Sequence, residues 1–315
     1  MPTPNAPPDA AIARFRADLL KCGCVTGTIG ICVSGGPDSL ALLLLAHAAI
    51  PSIKAATVDH GLRAASSQEA ALVAELCAQL GIAHVTLRLG PPERGNRSSW
   101  ARTARYAALR KWRQLDAIET LMTAHHADDQ LETMLMRLNR GSGVAGLAGV
   151  RARQADLCRP LLGWRKSELI DVVTACGVQA VDDPTNYDDD YDRARLRKHL
   201  ATADWLDPQA ASVSAGALAD ANDALDWAAA RLMAEHSVIN GEDIILTLPQ
   251  LPHELMRRVI LTCLTHINRH ANPRGAALDR LIAQLHDAKI VTLAGVKCSG
   301  GATWRFTRAP PRRTN

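Results

Sequence analysis

Aromatic rings are scarce in this chain of 315 residues: Phe, Trp and Tyr together make up 3% of it. Long apolar runs are missing too. None approaches the ~20 residues that cross a bilayer, and the best candidate, Leu40–Ile50, is short and broken by His47. No membrane association is therefore expected. The opening stretch Met1–Asp9 is Pro-rich, holds neither Lys nor Arg and has no secretory apolar region behind it. Eight cysteines (22, 24, 32, 77, 158, 176, 263 and 298) include no C-x-x-C pair. This argues against a zinc ribbon, a thioredoxin-type site or a clustered iron–sulfur centre. In a chain this long they read as free thiols of a reducing compartment, so a cytoplasmic protein is expected. No internal repeat is visible.

The apolar share of 47% against 22% charged residues marks a globular chain with ample material for a core. The length suggests two domains. The formal net charge of +4 is mild, but its distribution is uneven. Arg88–Arg113 carries eight basic residues against one acid, Glu93. Asp182–Asp192 holds six Asp and no base, and Arg193, Arg195, Arg197 and Lys198 follow at once. The last eleven residues add Arg305, Arg308, Arg312 and Arg313. Basic faces are often merely solvated, yet this pattern also fits a polyanionic partner.

Strand-like and helical patterns alternate through the first half. Strands are expected at Thr28–Ser34, Ile53–Asp59, Ala83–Leu89 and Ile118–Ala124, with helices at Leu40–Ile50, Ser66–Leu80, Ser98–Leu115 and Asp128–Asn139. Such alternation implies parallel βαβ units, which bind ligands at the carboxyl ends of their strands. Leu157–Leu162 reads as a last strand and Lys166–Cys176 as a helix stopped by Gly177. After a break at Asp207-Pro208 the pattern changes to a long Ala-rich helix, Gln209–His236, then two helices and short strands. The expected fold class is α/β: a parallel sheet flanked by helices, with a smaller C-terminal α+β, mainly helical domain. The domains are placed at 1–205 and 206–315.

Between the first strand and helix stands Ser34-Gly35-Gly36-Pro37-Asp38-Ser39. Paired glycines let the backbone turn and bring N–H groups to an anion, and the following helix N-terminus favours phosphate. Ser34 and Ser39 can add hydroxyl donors. Neither the Walker G-x-x-x-x-G-K-[ST] nor G-x-G-x-x-G is present, so neither kinase-like β–γ cleavage nor a dinucleotide site is indicated. The stretch resembles the SGGxDS signature of the N-type ATP pyrophosphatases, or PP-loop enzymes, whose Rossmann-like fold cuts ATP between its α and β phosphates. An acid in a phosphate loop is costly unless a cation lies between them, and Mg²⁺ is the usual bridge. Asp38 is thus a candidate metal ligand, and its partner should come from a neighbouring strand end.

That partner is expected in His125-His126-Ala127-Asp128-Asp129-Gln130-Leu131-Glu132-Thr133, after the strand near Ile118–Ala124. One Asp suits a helix cap and the other a metal ligand; Asp129 is taken for the metal. Zinc lacks a third ligand at a plausible spacing.

In these residues the chain resembles one PP-loop family, the tRNA(Ile)-lysidine synthetases. Val58-Asp59-His60-Gly61-Leu62-Arg63, Ala104-Arg105-Tyr106, His125…Asp128-Asp129…Glu132-Thr133, Arg140-Gly141-Ser142-Gly143…Gly146-Leu147 and Arg159-Pro160-Leu161-Leu162 match its motifs in order. So does Asp183…Asn186…Asp188…Tyr191 followed by Arg193-Ala194-Arg195-Leu196-Arg197, where Ala194 replaces the family's usual Asn. The match covers roughly residues 28–200 and implies a short form of the family. It implies ATP and Mg²⁺ as cofactors, and tRNA(Ile) with a CAU anticodon and free L-lysine as substrates. A homodimer is admissible. The implied ligation joins lysine to C2 of the first-anticodon cytidine through an adenylated base, releasing pyrophosphate and AMP.

On this reading Ser34, Gly35, Gly36, Pro37, Asp38 and Ser39 hold the nucleotide, and Asp38 and Asp129 hold Mg²⁺. Arg105 and Arg197 neutralise charge at the reacting centre. Asp59 and Glu132 are candidates for the lysine ammonium, while His60, His125 and His126 are as readily structural. Trp100, Trp112 and Trp164 are available for base stacking, with core packing the plainer role. The alternatives are a PP-loop tRNA thiolase, which needs paired cysteines or a cluster, and a synthetase adenylating a small molecule.

Overall fold

The computed structural model describes residues 3–23, 27–61, 66–90, 97–181 and 192–310. Leu62, Arg63, Arg94, the acidic stretch 182–191, Arg312 and Arg313 lie outside the described residues. The chain forms two compact units, Met1–Ala219 and Asp220–Asn315.

The first unit opens with α1 (Asp9–Lys21), an element the Pro-rich start conceals, whose Phe15 and Leu19 enter the core. Then come β1 (Ile29–Cys32), α2 (Pro37–Ala49), β2 (Ile53–Asp59), α3 (Ser66–Gln79), β3 (Ala83–Arg88), α4 (Arg97–Leu115), β4 (Thr120–Met122) and α5 (Ala127–Leu138). A single turn α6 (Val144–Leu147), the short strands β5 (Arg153–Gln154) and β6 (Leu157–Cys158), α7 (Lys166–Ala175) and α8 (Asp192–Leu200) follow. The sheet order is β3-β2-β1-β4-β6-β5, parallel except for β5. The expected strand over Leu157–Leu162 is cut to two residues, because a turn begins at Pro160.

Side-chain alternation splits the core across the two faces of this sheet. Ile29, Ile31, Ala55 and Met122 pack with α1, α2, α3 and α7, whereas Ala56 and Leu121 pack with Leu109 and Trp112 of α4. Gly30 lies beneath α4, and a Cβ there would come within 2.9 Å of the Trp112 ring. Trp112 and Trp164 are therefore core residues, 4% and 2% exposed. Helix α2 is buried along Leu40–Ala46, which explains a sequence that is apolar on every side.

The chain leaves β1 toward β2 and β3 on one side, while β4 lies on the other. The crevice between the carboxyl ends of β1 and β4 is thus the switch point of the sheet, where open α/β folds bind ligands.

Helix α9 (Pro208–His236) begins at the Asp207-Pro208 break, with Asp207 Oδ1 accepting the Gln209 N–H at 2.9 Å. The boundary between the units falls inside this helix rather than before it. In the second unit β7 (Ser237–Asn240), β8 (Asp243–Leu246), α10 (His253–Ile267), α11 (Gly275–His286), β9 (Ile290–Leu293), β10 (Val296–Ser299) and β11 (Trp304–Arg308) form an antiparallel sheet of order β7-β8-β11-β10-β9. Val259, Ile260, Leu281, Leu285, Val296 and Phe306 share its core. Among the described residues no helix is long and apolar enough to cross a membrane. Among the described residues no cysteine forms a disulfide.

Candidate active site

The loop after β1 is tied by Ser39. Its Oγ accepts the N–H groups of Ser34 and Gly35, each at 3.1 Å, and donates to Gly36 O at 2.9 Å. Ser34 Oγ donates to the same hydroxyl at 3.2 Å. Ser39 is buried, so it braces the loop from within. Gly35 sits at φ +91°, a conformation that side chains rarely tolerate, and Gly36 caps α2 with Pro37 in its first turn. Asp38 stands in that turn, and its Oδ1 is buried without a hydrogen-bond partner.

The loop after β4 meets it through His126. This side chain is 3% exposed, with Nε2 3.5 Å from Asp38 Oδ2 and 3.6 Å from Asp129 Oδ2, and Nδ1 3.5 Å from Asp128 Oδ2. Burial pulls its pKa down, but the carboxylates of Asp128, Asp38 and Asp129 outweigh burial and hold it up at about 10. His126 is thus an imidazolium at neutral pH, set among three acids. It also begins α5, donating its backbone N–H to Asp129 Oδ2 at 3.2 Å. Asp128 accepts the Lys166 N–H at 2.8 Å and so joins the start of α7 to the cluster.

Glu132, one turn beyond Asp129, is buried and holds two arginines of α8. Arg197 Nε donates to its Oε1 at 2.6 Å, and Arg193 Nε pairs with Oε2 at 3.1 Å. Arg197 also reaches Asp129 Oδ1 at 3.4 Å. Burial raises the Glu132 pKa against the pull of Arg197. For Asp129, burial is outweighed by His126, His125 and Arg193, and its pKa is lowered. Ala194, the family departure, is buried on α8 between these arginines.

Arg105 is half-buried on α4, its guanidinium 5.4 Å from the Tyr106 ring centre. Its charge lowers the pKa values of His60 and His125, behind burial in each case. His125 is pushed down to about 4 and is neutral, with Nδ1 3.0 Å from Thr123 Oγ1. Asp59 accepts Ser66 Oγ at 2.6 Å and the Gly61 N–H at 2.9 Å, and both bonds lower its pKa.

The structure therefore brings Asp38 and Asp129 to His126, and Arg197 to Asp129, while the charge of Arg105 reaches His60 and His125. Sequence alone undervalues His126; its clue is a histidine facing acids from two different loops. Among the described residues no three His, Cys, Asp or Glu side chains are arranged as a metal cage. Mg²⁺ needs none, since it binds through one or two carboxylates and substrate phosphates. The orphaned Asp38 Oδ1 and the convergence of Asp38 with Asp129 fit such an ion.

A strand–loop–helix phosphate cradle at the switch point of a parallel sheet defines an ATP-using PP-loop enzyme, and the PP-loop domain model matches residues 11–203. The fold is shared with a U34-tRNA thiolase from Methanococcus maripaludis, at a TM-score of 0.53 and 16% identity, over 66% of this chain and 78% of that one. A tRNA(Ile)-lysidine synthase of Novosphingobium aromaticivorans is 44% identical over 97% of this chain and 96% of its own length. That of Zymomonas mobilis is 40% identical over 92% and 91%. The chain belongs to the tRNA(Ile)-lysidine synthase family.

Proposed function

We propose that the chain ligates free lysine to C2 of the first-anticodon cytidine of tRNA(Ile) bearing CAU, in two steps at one site. The cytidine O2 attacks the α-phosphate of ATP and pyrophosphate leaves. The lysine ε-amine then attacks C2, and AMP leaves with the former carbonyl oxygen. The observation that carries this reading is the meeting of the phosphate loop and the acid pair on His126, 3.5 and 3.6 Å from Asp38 and Asp129.

A cytidine carbonyl is a poor electrophile, so adenylation converts its oxygen into a leaving group. Such a reaction asks for positioning and charge stabilisation rather than a covalent nucleophile. Ser34, Gly35, Gly36, Pro37, Asp38 and Ser39 hold the phosphates. Asp38 and Asp129 hold Mg²⁺, which when bound neutralises charge on the nucleotide phosphates. Arg105 and Arg197 counter charge on the α-phosphate and the neighbouring RNA. Glu132 and Asp59 already serve the framework, the first holding Arg193 and Arg197, the second Ser66 and Gly61.

The basic face of α4 and the second unit track tRNA phosphates, and the site of action is the cytoplasm. The described cysteines are mostly buried and form no disulfide, and so lend no support to sulfur transfer. Conversion of ATP to AMP tests the reading: it requires tRNA and is completed by lysine. Turnover with a small molecule alone, or a requirement for a sulfur donor, overturns it.

A further inference from the structure

We propose that Trp205 is a stacking platform for an unpaired base of the RNA substrate, placed at the rim of the acid cluster. The inference rests on the function proposed above, in which that cluster acts on an anticodon loop. Trp205 is 79% exposed and Trp227, on the long helix α9, 65%, whereas Trp112, Trp164 and Trp304 are each below a tenth; of the two exposed rings only Trp205 adjoins the basic helix α8. A large ring left in water forgoes the burial that normally fixes it, in a chain with few rings to spare.

The segment that displays this indole is held on both sides. Upstream, α8 is anchored by Arg193 and Arg197 on Glu132. The turn itself is closed by Ala203 N–H to Leu200 O at 3.1 Å and Leu206 N–H to Ala203 O at 3.2 Å. Downstream, Asp207 pairs with Arg165 at 3.8 Å, Gln209 Nε2 donates to Gly163 O at 3.2 Å, and Ser212 Oγ donates to Leu162 O at 2.6 Å. Arg165 in turn lies 3.9 Å from Asp128, which borders His126. One residue, Leu206, separates Trp205 from Asp207, a Cα span of at most about 7 Å. The backbone that carries the ring is therefore linked to the acid cluster through Asp207, Arg165 and Asp128.

The surroundings favour RNA over an apolar protein partner. The outer face of α8 exposes Arg195, Lys198 and His199. Among the described residues the acids close to it in sequence are Asp192, which pairs with Arg195 and Arg140, the exposed Asp204, and Asp207, whose charge is met by Arg165. Cations that follow a backbone, ending at a free ring, form the combination that binds unpaired nucleotides, because every base has a face to stack.

The test uses the full-length enzyme with Trp205→Ala and Trp205→Phe, and an anticodon stem-loop carrying CAU. Trp205→Ala is expected to raise the KM for the stem-loop roughly ten-fold or more, as the removal of one stacking partner implies. Its kcat should change less than about two-fold, its ATP affinity should be unchanged, and Trp205→Phe should recover most of the deficit. Stem-loop binding should quench tryptophan emission in the wild type and quench it less in Trp205→Phe. A wild-type KM and quench in these variants overturn the inference, as does a Phe variant no better than Ala. A wild type that fails to modify the stem-loop overturns the proposed function itself, which an indifferent Trp205→Ala in an active enzyme does not.

Discussion

His126 Nε2 lies 3.5 Å from Asp38 Oδ2, and through this contact the loop after β1 is joined to the loop after β4. The same nitrogen is 3.6 Å from Asp129. One buried imidazolium thus spaces two carboxylates that would otherwise repel one another across the switch point of the sheet. The arrangement lowers the pKa of Asp129 and gathers both acids at the carboxyl ends of β1 and β4, where we propose that the nucleotide phosphates bind.

Removing either acid should therefore separate chemistry from RNA binding. Asp38→Asn and Asp129→Asn are each expected to lower pyrophosphate release at least about 100-fold, the scale on which electrostatic stabilisation acts in other active sites. The tRNA affinity of both variants, measured by filter binding, should stay near that of the wild type. Near-normal turnover in either would sink the two-carboxylate site.

His126 itself gives a pH signature in the metal-free protein. Its folded pKa of about 10 lies above the ordinary value of 6.5. The stability it contributes is complete below 6.5 and is lost as pH rises toward 10, with a slope of up to ~1.4 kcal/mol per unit. His125 acts in the opposite sense: its folded pKa is pushed down to about 4. Stability from this neutral ring is complete above 6.5 and falls as pH drops toward 4. Chemical denaturation across pH should show both flanks, and His126→Gln should erase the alkaline one. An unchanged alkaline flank in that variant would show that His126 is not the group responsible.

Arg105→Ala should lower kcat more than affinity, because its charge bears on His60 and His125 at the strand ends. The exposed Arg110 and Lys111 on the same helix should behave differently. Replacing them is expected to weaken tRNA binding and to flatten its salt dependence by roughly one unit of slope for each phosphate that is no longer neutralised. Identical kinetic signatures for the two groups would contradict the division between reacting centre and backbone track.

Much of this was legible in the sequence, for reasons that can be traced to particular residues. Ile53–Asp59 falls where expected, because β-branched residues bounded by polar ones are a strong local signal. The phosphate loop was equally clear, since two glycines between a strand and an apolar helix have few other uses. Helix α1 was hidden behind prolines, and β7 and β10 are only four residues each, held by sheet partners rather than by a period of their own. Core packing, the plainer role for Trp112 and Trp164, holds, but the exposed tryptophans were not singled out. Trp112 lies on Gly30 and Trp164 donates Nε1–H to Asp18 at 3.0 Å, while Trp205 and Trp227 reach solvent. Burial of a lone ring depends on what the other elements bring to it, which no local pattern encodes.

The division of the chain within α9 gives a fourth expectation. A fragment ending at residue 219 keeps Gln209 and Ser212, which bond to Gly163 and Leu162, whereas one ending at 205 omits them. The longer fragment should bind ATP with Mg²⁺ by calorimetry yet modify tRNA very poorly. The shorter one should melt several degrees lower, since each side chain–backbone hydrogen bond contributes about 1 kcal/mol. Full tRNA affinity in the longer fragment would remove the RNA-holding role proposed for the second unit.

The most direct test of the whole account is the chemical identity of the modified base. The enzyme is incubated with ATP, Mg²⁺, lysine and a tRNA(Ile) transcript bearing CAU, and the digested nucleosides are weighed by mass spectrometry. The account predicts that the first-anticodon cytidine gains the mass of one lysine less one water, and that omitting lysine leaves pyrophosphate release but no such gain. An unmodified cytidine after ATP turnover, or a gain corresponding to sulfur, would contradict it.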